Sequence, residues 1–355
     1  MTQPSRMRLT ILQGAEFWND SCALHELRDA IDHGATGATS NPVIVFSVVK
    51  ADPKAWTPVL DAIVRANEEK TEDEIAWQLI EEMARQAAAI LEPVHRQTRG
   101  RQGYLSVQVS PKFYANAARM IEHGRTLASL APNIAVKVPS TEAGVKAAEE
   151  LTALGINVNA TVSFTVSQAV TVAEAFERGM DRAKANGAEM DRLHPYMTLM
   201  VGRVDDLLQR VAAKEAIVID PGFLHWAGVA VFKRAHEIFK QRGFRSRLLA
   251  AAYRHHMHWS ELIGPGVILS MPYPWWKQFE ASDIEVATTL DRPVRPEVLA
   301  ALRRKFKDFE LAYNEGAIAP ASFASFGASV HTLNQFLGGF QDLLGLVRER
   351  MLLPR

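Results

Sequence analysis

The 355-residue sequence has a single cysteine, Cys22, so no disulfide can form within the chain and no all-cysteine metal site can exist. It has no excess of either charge: 40 Lys and Arg stand against 40 Asp and Glu. A nucleic-acid or membrane-surface partner favours a basic surplus, so neither is expected. Anionic small molecules stay open, because a few local arginines suffice to hold them. No window approaches the roughly 18 apolar residues of a membrane span. The start, MTQPSRMRLTILQGAEFW, has two early arginines but an apolar stretch too short and broken for a signal peptide. A cytoplasmic protein is therefore the expectation. There is also no G-x-G-x-x-G or P-loop run, which weakens an open nucleotide-binding sheet.

What is present is ample core material, 48% hydrophobic against 23% charged residues. At about 150 residues per domain the length suggests two domains, yet α/β barrels run longer as one unit. Short β-rich runs alternate with helical patterns. The strand candidates are Leu9–Trp18, Thr36–Pro42, Gly103–Ser110, the IAVKVP run, Ile156–Ser163, Pro195–Gly202, the SRLLAAAY run and Gly266–Pro272. The intervening helical patterns place apolar residues at three-to-four spacing, and Thr141 is a candidate N-cap for the one after IAVKVP. Serial βα order without hairpin turns implies parallel strands and right-handed crossovers. Eight such units predict an α/β fold: a single (β/α)8 TIM barrel over residues 1–355, with extra C-terminal helices packed outside it.

In such a barrel, functional groups sit at the C-terminal ends of the strands. The polar residues late in the candidate strands are Asp20, Asn41, Gln108, Lys137, Asn159 with Thr161, Thr198, and Arg254. Lys137 interrupts the apolar run Ile134, Ala135, Val136 and Val138. An ammonium there is costly unless it is paired, neutralised or put to use. Desolvation favours the neutral amine, which can attack a carbonyl, and a nearby carboxylate can move protons to and from a hydroxyl. The strand pattern alone equally allows a lysine that reaches solvent or pairs with a carboxylate.

The run VKVPSTEAGVKAAEELTALGINVNATVSFTVSQAVTVAEA resembles the core signature of the transaldolases, the class I Schiff-base aldolases that include the fructose-6-phosphate aldolase branch. GATSNP, WND, VGRVDD and the segment from DPGFLHW to AAAYR are similar to flanking family motifs. The resemblance implies dihydroxyacetone transfer between sugar phosphates, part of pentose phosphate carbohydrate metabolism. It implies imine formation at Lys137 with Asp20 as the acid/base, and Thr161 positioning a catalytic water. Asn41, Asn159 and Thr198 would hold the three-carbon fragment, and Arg203 and Arg254 the phosphate. It calls for no cofactor and is compatible with a homodimer.

Four positions depart from the family pattern. Gln108 stands for the glutamate that works with Thr161 on the water, Met200 for a phenylalanine, Thr198 for a serine, and Ala252 for a serine beside Arg254. Gln108 is shared with the fructose-6-phosphate aldolase branch, which releases the three-carbon unit, whereas that branch has a tyrosine at position 200. Two other readings follow: a lyase needing no acceptor sugar, or a barrel that has lost catalysis and binds a ligand. RHHMH, at His255, His256 and His258, has no acidic neighbour at ligand spacing, so no metal is expected. Trp275 and Trp276 read as packing residues rather than mouth-lining ones, and Cys22 as a packing residue.

Overall fold

Alternation within IAVKVP sorts the strand into two faces, and the same period-two rule holds around the whole sheet. The computed structural model describes residues 5–353, so the first four residues of the expected non-signal terminus lie outside the described residues. Eight parallel strands close into a barrel: β1 (Glu16–Asn19), β2 (Gly37–Thr39), β3 (Tyr104–Gln108), β4 (Ile134–Pro139), β5 (Val158–Thr161), β6 (Tyr196–Met200), β7 (Arg247–Ala251) and β8 (Ile268–Met271). The expected (β/α)8 architecture is therefore present. Helices Pro296–Lys305, Lys307–Tyr313 and Gly327–Met351 follow the last strand, and the third packs on helix Pro42–Ala51.

The lower interior is an apolar plug of Trp18, Tyr104, Ala135, Tyr196, Leu249, Ala251 and Ile268, separate from the core beneath the outer helices. The plug fills the lower interior, so a site inside the barrel can lie only above it. Gly37 shows how tight it is: a Cβ there would lie 2.4 Å from the Trp18 ring. Ala135 belongs to the plug, and Lys137 lies two residues further along the same face of β4.

The end of β4 is pressed against the helix it feeds, Glu142–Ala153. The Thr141 side chain accepts from the Gly144 N–H at 3.0 Å, and its hydroxyl donates to the Tyr114 carbonyl at 2.6 Å. A Cβ at Gly144 would meet the Pro139 carbonyl at 1.7 Å. Thr141→Ala is expected to cost ~1 kcal/mol of stability, read as a lower urea midpoint with an unchanged slope.

One strand expectation differs from the structure. Leu9–Trp18 is not one strand: Arg6–Leu12 is a helix whose N-cap, Ser5, accepts from Arg8, and the strand starts at Glu16. Trp276 does pack, as expected, but under β1, with its indole N–H donating to Asn19 at 3.0 Å and its ring edge-on to Phe17. It is fully buried.

Candidate active site

The register of the barrel decides which side chains meet. Lys137 lies opposite Gln108 on β3 and Asn159 on β5. Directly paired residues of parallel strands point to the same side, so these three share one level of the barrel interior. Ser106 is one step below Gln108, and Thr161 one step above Asn159. On β6, Thr198 and Met200 follow the same parity from Tyr196 of the plug.

A hydrogen-bonded chain crosses this level. The Thr198 hydroxyl donates to the Asn159 amide oxygen at 2.7 Å, and the Asn159 amide nitrogen donates to the Ser106 hydroxyl at 3.0 Å. It fixes the amide orientation of Asn159, whose NH2 group has a second N–H to donate. On the other side, the Thr39 hydroxyl donates to the Asp20 carboxylate, and Ser270 lies 3.2 Å from Thr39. Asp20 follows β1 and is anchored through its own N–H to the Met271 carbonyl at 2.9 Å.

Lys137 is 5% exposed. Burial pushes its ammonium below the ordinary lysine range, and the negative charge of Asp20 works against that shift. Two polar atoms on the flanking strands, Gln108 Oε1 and Thr161 Oγ1, have no partner within the protein. Buried polar groups are normally satisfied, so these two atoms beside Lys137 are free to meet a ligand that brings its own hydrogen bonds. Asn41 differs from expectation in part: its Oδ1 caps the helix Pro42–Ala51 by accepting from Ile44 at 3.0 Å. Its amide N–H groups and the second lone pair of Oδ1 remain for a ligand.

Arg203, on helix Val201–Lys214, and Arg254, after β7, converge on one carboxylate. Arg254 Nε and Nη2 donate to Asp206 at 3.0 and 2.9 Å, and Arg203 Nη1 lies 3.6 Å from it. Two guanidinium groups around one carboxylate leave a net positive edge of the mouth. Burial, then Arg254, lowers the Arg203 pKa, and its Nε has no partner. Ala252, between them, has a left-handed φ of 65°.

The histidines do not arrange themselves as the sequence suggested. His256 Nδ1 lies 3.1 Å from Ser260 Oγ, whereas His255 and His258 both reach Asp205 Oδ2 at 2.9 Å. These three could bring ligand atoms within 4.8 Å of one another. The acidic member comes from helix Val201–Lys214, far upstream, where ligand spacing could not reveal it. However, both His258 nitrogens already have protein partners, since Nδ1 accepts from the Arg254 N–H at 3.1 Å. Cys22 is buried beside Met83 and Ser40, and burial pushes its thiol up to about 12, which makes it a packing residue and no nucleophile.

Thr39, Ser106 and Ser270 were not anticipated. Counting back in twos from the inward residues 41 and 108 would have found Thr39 and Ser106; Ser270 is two residues beyond Ile268 of the plug.

Comparison with known proteins agrees with the geometry. The family model described as transaldolase/fructose-6-phosphate aldolase matches residues 17–331. A transaldolase of Thiobacillus denitrificans is 32% identical over 249 residues, covering 67% of this chain and 68% of its own. Transaldolase 1 of Streptomyces avermitilis is 28% identical over 288 residues, with 73% and 75% covered. The transaldolase of Neisseria meningitidis is 28% identical over 290 residues, with 75% and 81% covered. None of the helices among the described residues is long and apolar enough to cross a membrane. With a closed eight-strand barrel, a buried lysine facing its mouth and a family match over most of its length, this chain belongs to the transaldolase/fructose-6-phosphate aldolase family.

Proposed function

We propose that the chain works as one barrel domain catalysing transaldolase-type transfer of a three-carbon dihydroxyacetone unit between sugar phosphates. The observation that carries this reading is Lys137, buried at the same level of the barrel as Gln108 and as Asn159 with its partner Thr198, groups that can hydrogen-bond a polyol. Its neutral amine attacks the C2 carbonyl of a ketose, and loss of water gives a protonated imine. The Asp20 carboxylate takes the proton of the C4 hydroxyl, the C3–C4 bond breaks, and its electron pair moves onto the imine nitrogen as an enamine. The aldehyde leaves. An acceptor aldehyde then adds at C3 of the enamine, Asp20 returns the proton to the new hydroxyl, and hydrolysis frees Lys137.

Asn159 and Thr198, ordered by their mutual hydrogen bond, hold the hydroxyls of the retained fragment, with the Asn41 amide as a third donor. Thr161 orients the water that enters and leaves with the imine. Arg203 and Arg254 bind the phosphate, a role suited to planar guanidinium groups.

A lyase is the second reading, favoured by the chemistry at position 108. A glutamine cannot exchange protons as a carboxylate does, and Gln108 Oε1 has no partner in the protein. Turnover that requires an acceptor aldose supports transfer. Free dihydroxyacetone and an aldose phosphate released without an acceptor support the lyase. Gln108→Glu is expected to raise the transfer rate severalfold, measured by coupled assay with a saturating acceptor; a fall would show that the amide is fitted to a different outcome.

A further inference from the structure

In the short segment Ala252–Arg254, the Tyr253 ring is buried against His258 and Phe279, and Arg254 Nη1 donates to the Tyr253 carbonyl at 2.8 Å. Ala252 sits in a left-handed conformation that a residue with a Cβ disfavours. The segment also rests directly on the start of helix Val201–Lys214, where a Cβ at Gly202 would come within 2.1 Å of the Ala252 carbonyl. Arg254 must present its guanidinium at a fixed point for the phosphate role proposed above. The dipeptide Asp205–Asp206 grips it at both ends. Asp206 takes the guanidinium, and Asp205 reaches the backbone of the same residue through His258.

We propose that Asp205 and His258 form a positioning pair that sets the backbone of Arg254, and with it the preference for phosphorylated substrates. This rests on the reading that Arg254 binds the phosphate. The partner of His258 Nδ1 is an amide N–H, so that nitrogen must be the acceptor and the ring proton must lie on Nε2. Nε2 then donates to Asp205 Oδ2 at 2.9 Å, while Asp205 Oδ1 accepts from the Gly228 N–H at 2.8 Å. His255 Nε2 lies 2.9 Å from the same Oδ2. The carboxylate thus selects the tautomer, and the tautomer holds the arginine. Both Asp205 and His258 are fully buried. Burial pushes His258 below its ordinary value; for Asp205, burial acts upward, but the two histidines outweigh it and hold the carboxyl low. A neutral ring beside an ionised carboxylate is the state the geometry requires. A cation at the cluster would need the Nε2 lone pair as well, which a ring accepting at Nδ1 supplies only as imidazolate.

Asp205→Asn tests this with almost no change of shape. The Gly228 N–H keeps the amide oxygen at the Oδ1 position, so the amide NH2 faces His258 Nε2 and moves the ring proton to Nδ1. Nδ1–H then opposes the Arg254 N–H. The readout is the ratio of kcat/KM for fructose 6-phosphate to that for fructose. The variant is expected to lower this ratio ~10-fold, through KM for the phosphorylated ketose, with kcat within about threefold. His258→Asn, whose amide oxygen can replace Nδ1 as acceptor, is expected to stay within about threefold of the wild-type ratio. An unchanged ratio in Asp205→Asn, or an equal fall for both ketoses, overturns the proposal, since a merely structural role moves both alike. Failure of the underlying reading shows instead in the wild type, as no preference for the phosphorylated ketose. Should Asp205→Asn not fold, imidazole nitrogen shifts of the wild-type protein decide. Protonation of His258 at Nε2 supports the pair; protonation at Nδ1, or a stoichiometric divalent ion in the native mass spectrum, contradicts it.

Discussion

Lys137→Met is expected to lower turnover by a factor on the order of 10⁴ to 10⁶, the scale seen when a covalent nucleophile is removed. Methionine matches the length of the lysine stem and fits the same space between Gln108 and Asn159, so the loss falls on chemistry rather than on packing. The same variant is expected to be more stable than the wild type at neutral pH. Burial lowers the lysine pKa in the folded state, so the unfolded chain binds more protons between the lowered and the ordinary value. Wild-type stability therefore rises with pH across that window, and the advantage of methionine shrinks as pH climbs toward the ordinary lysine value. Thermal melts of both proteins across that range measure it. A destabilised methionine variant would mean that Lys137 is a structural cation held by Asp20.

Asp20→Asn is expected to separate imine formation from bond cleavage. An amide cannot take the C4 hydroxyl proton, and losing a positioned acid/base typically lowers the rate by ~10²–10⁴-fold. The Thr39 hydroxyl, which donates to Asp20, can still donate to the amide oxygen, so the local fold is retained. In the proposed route imine formation uses the amine of Lys137 and the water placed by Thr161, not Asp20, hence the variant should still be trapped by borohydride with a ketose while releasing no aldehyde. Loss of trapping along with turnover would place Asp20 in the imine step instead. Removing the carboxylate also removes the charge that opposes the lysine shift, which lowers the Lys137 pKa further. The pH profile of trapping should therefore move to lower pH.

Much of this site could be read from the chain because the barrel converts position along a strand into position at the mouth. Lys137 stood out as a charge in an apolar run, and Gln108, Asn159 and Thr198 fall where a late strand residue should. What could not be read depends on contacts between distant segments. Asp205 meets His255 and His258 only because helix Val201–Lys214 and the loop after β7 start from neighbouring strands. Helix Pro42–Ala51 was hidden by its β-branched composition, NPVIVFSVVKA; its start is fixed by Asn41 as N-cap with Pro42 in the first turn. That cap also gives the Asn41 amide oxygen a place in the fold. Arg6–Leu12 was missed for a related reason: Ser5 caps a helix too short to show a clear periodicity.

The proposed chemistry requires a covalent imine at Lys137. Borohydride reduction in the presence of fructose 6-phosphate, followed by intact-mass measurement and peptide mapping, tests this most directly. One adduct per chain on Lys137, absent from Lys137→Met and present in Asp20→Asn, is the predicted result. No adduct with phosphorylated or free ketoses, or an adduct on another lysine that survives Lys137→Met, would contradict it.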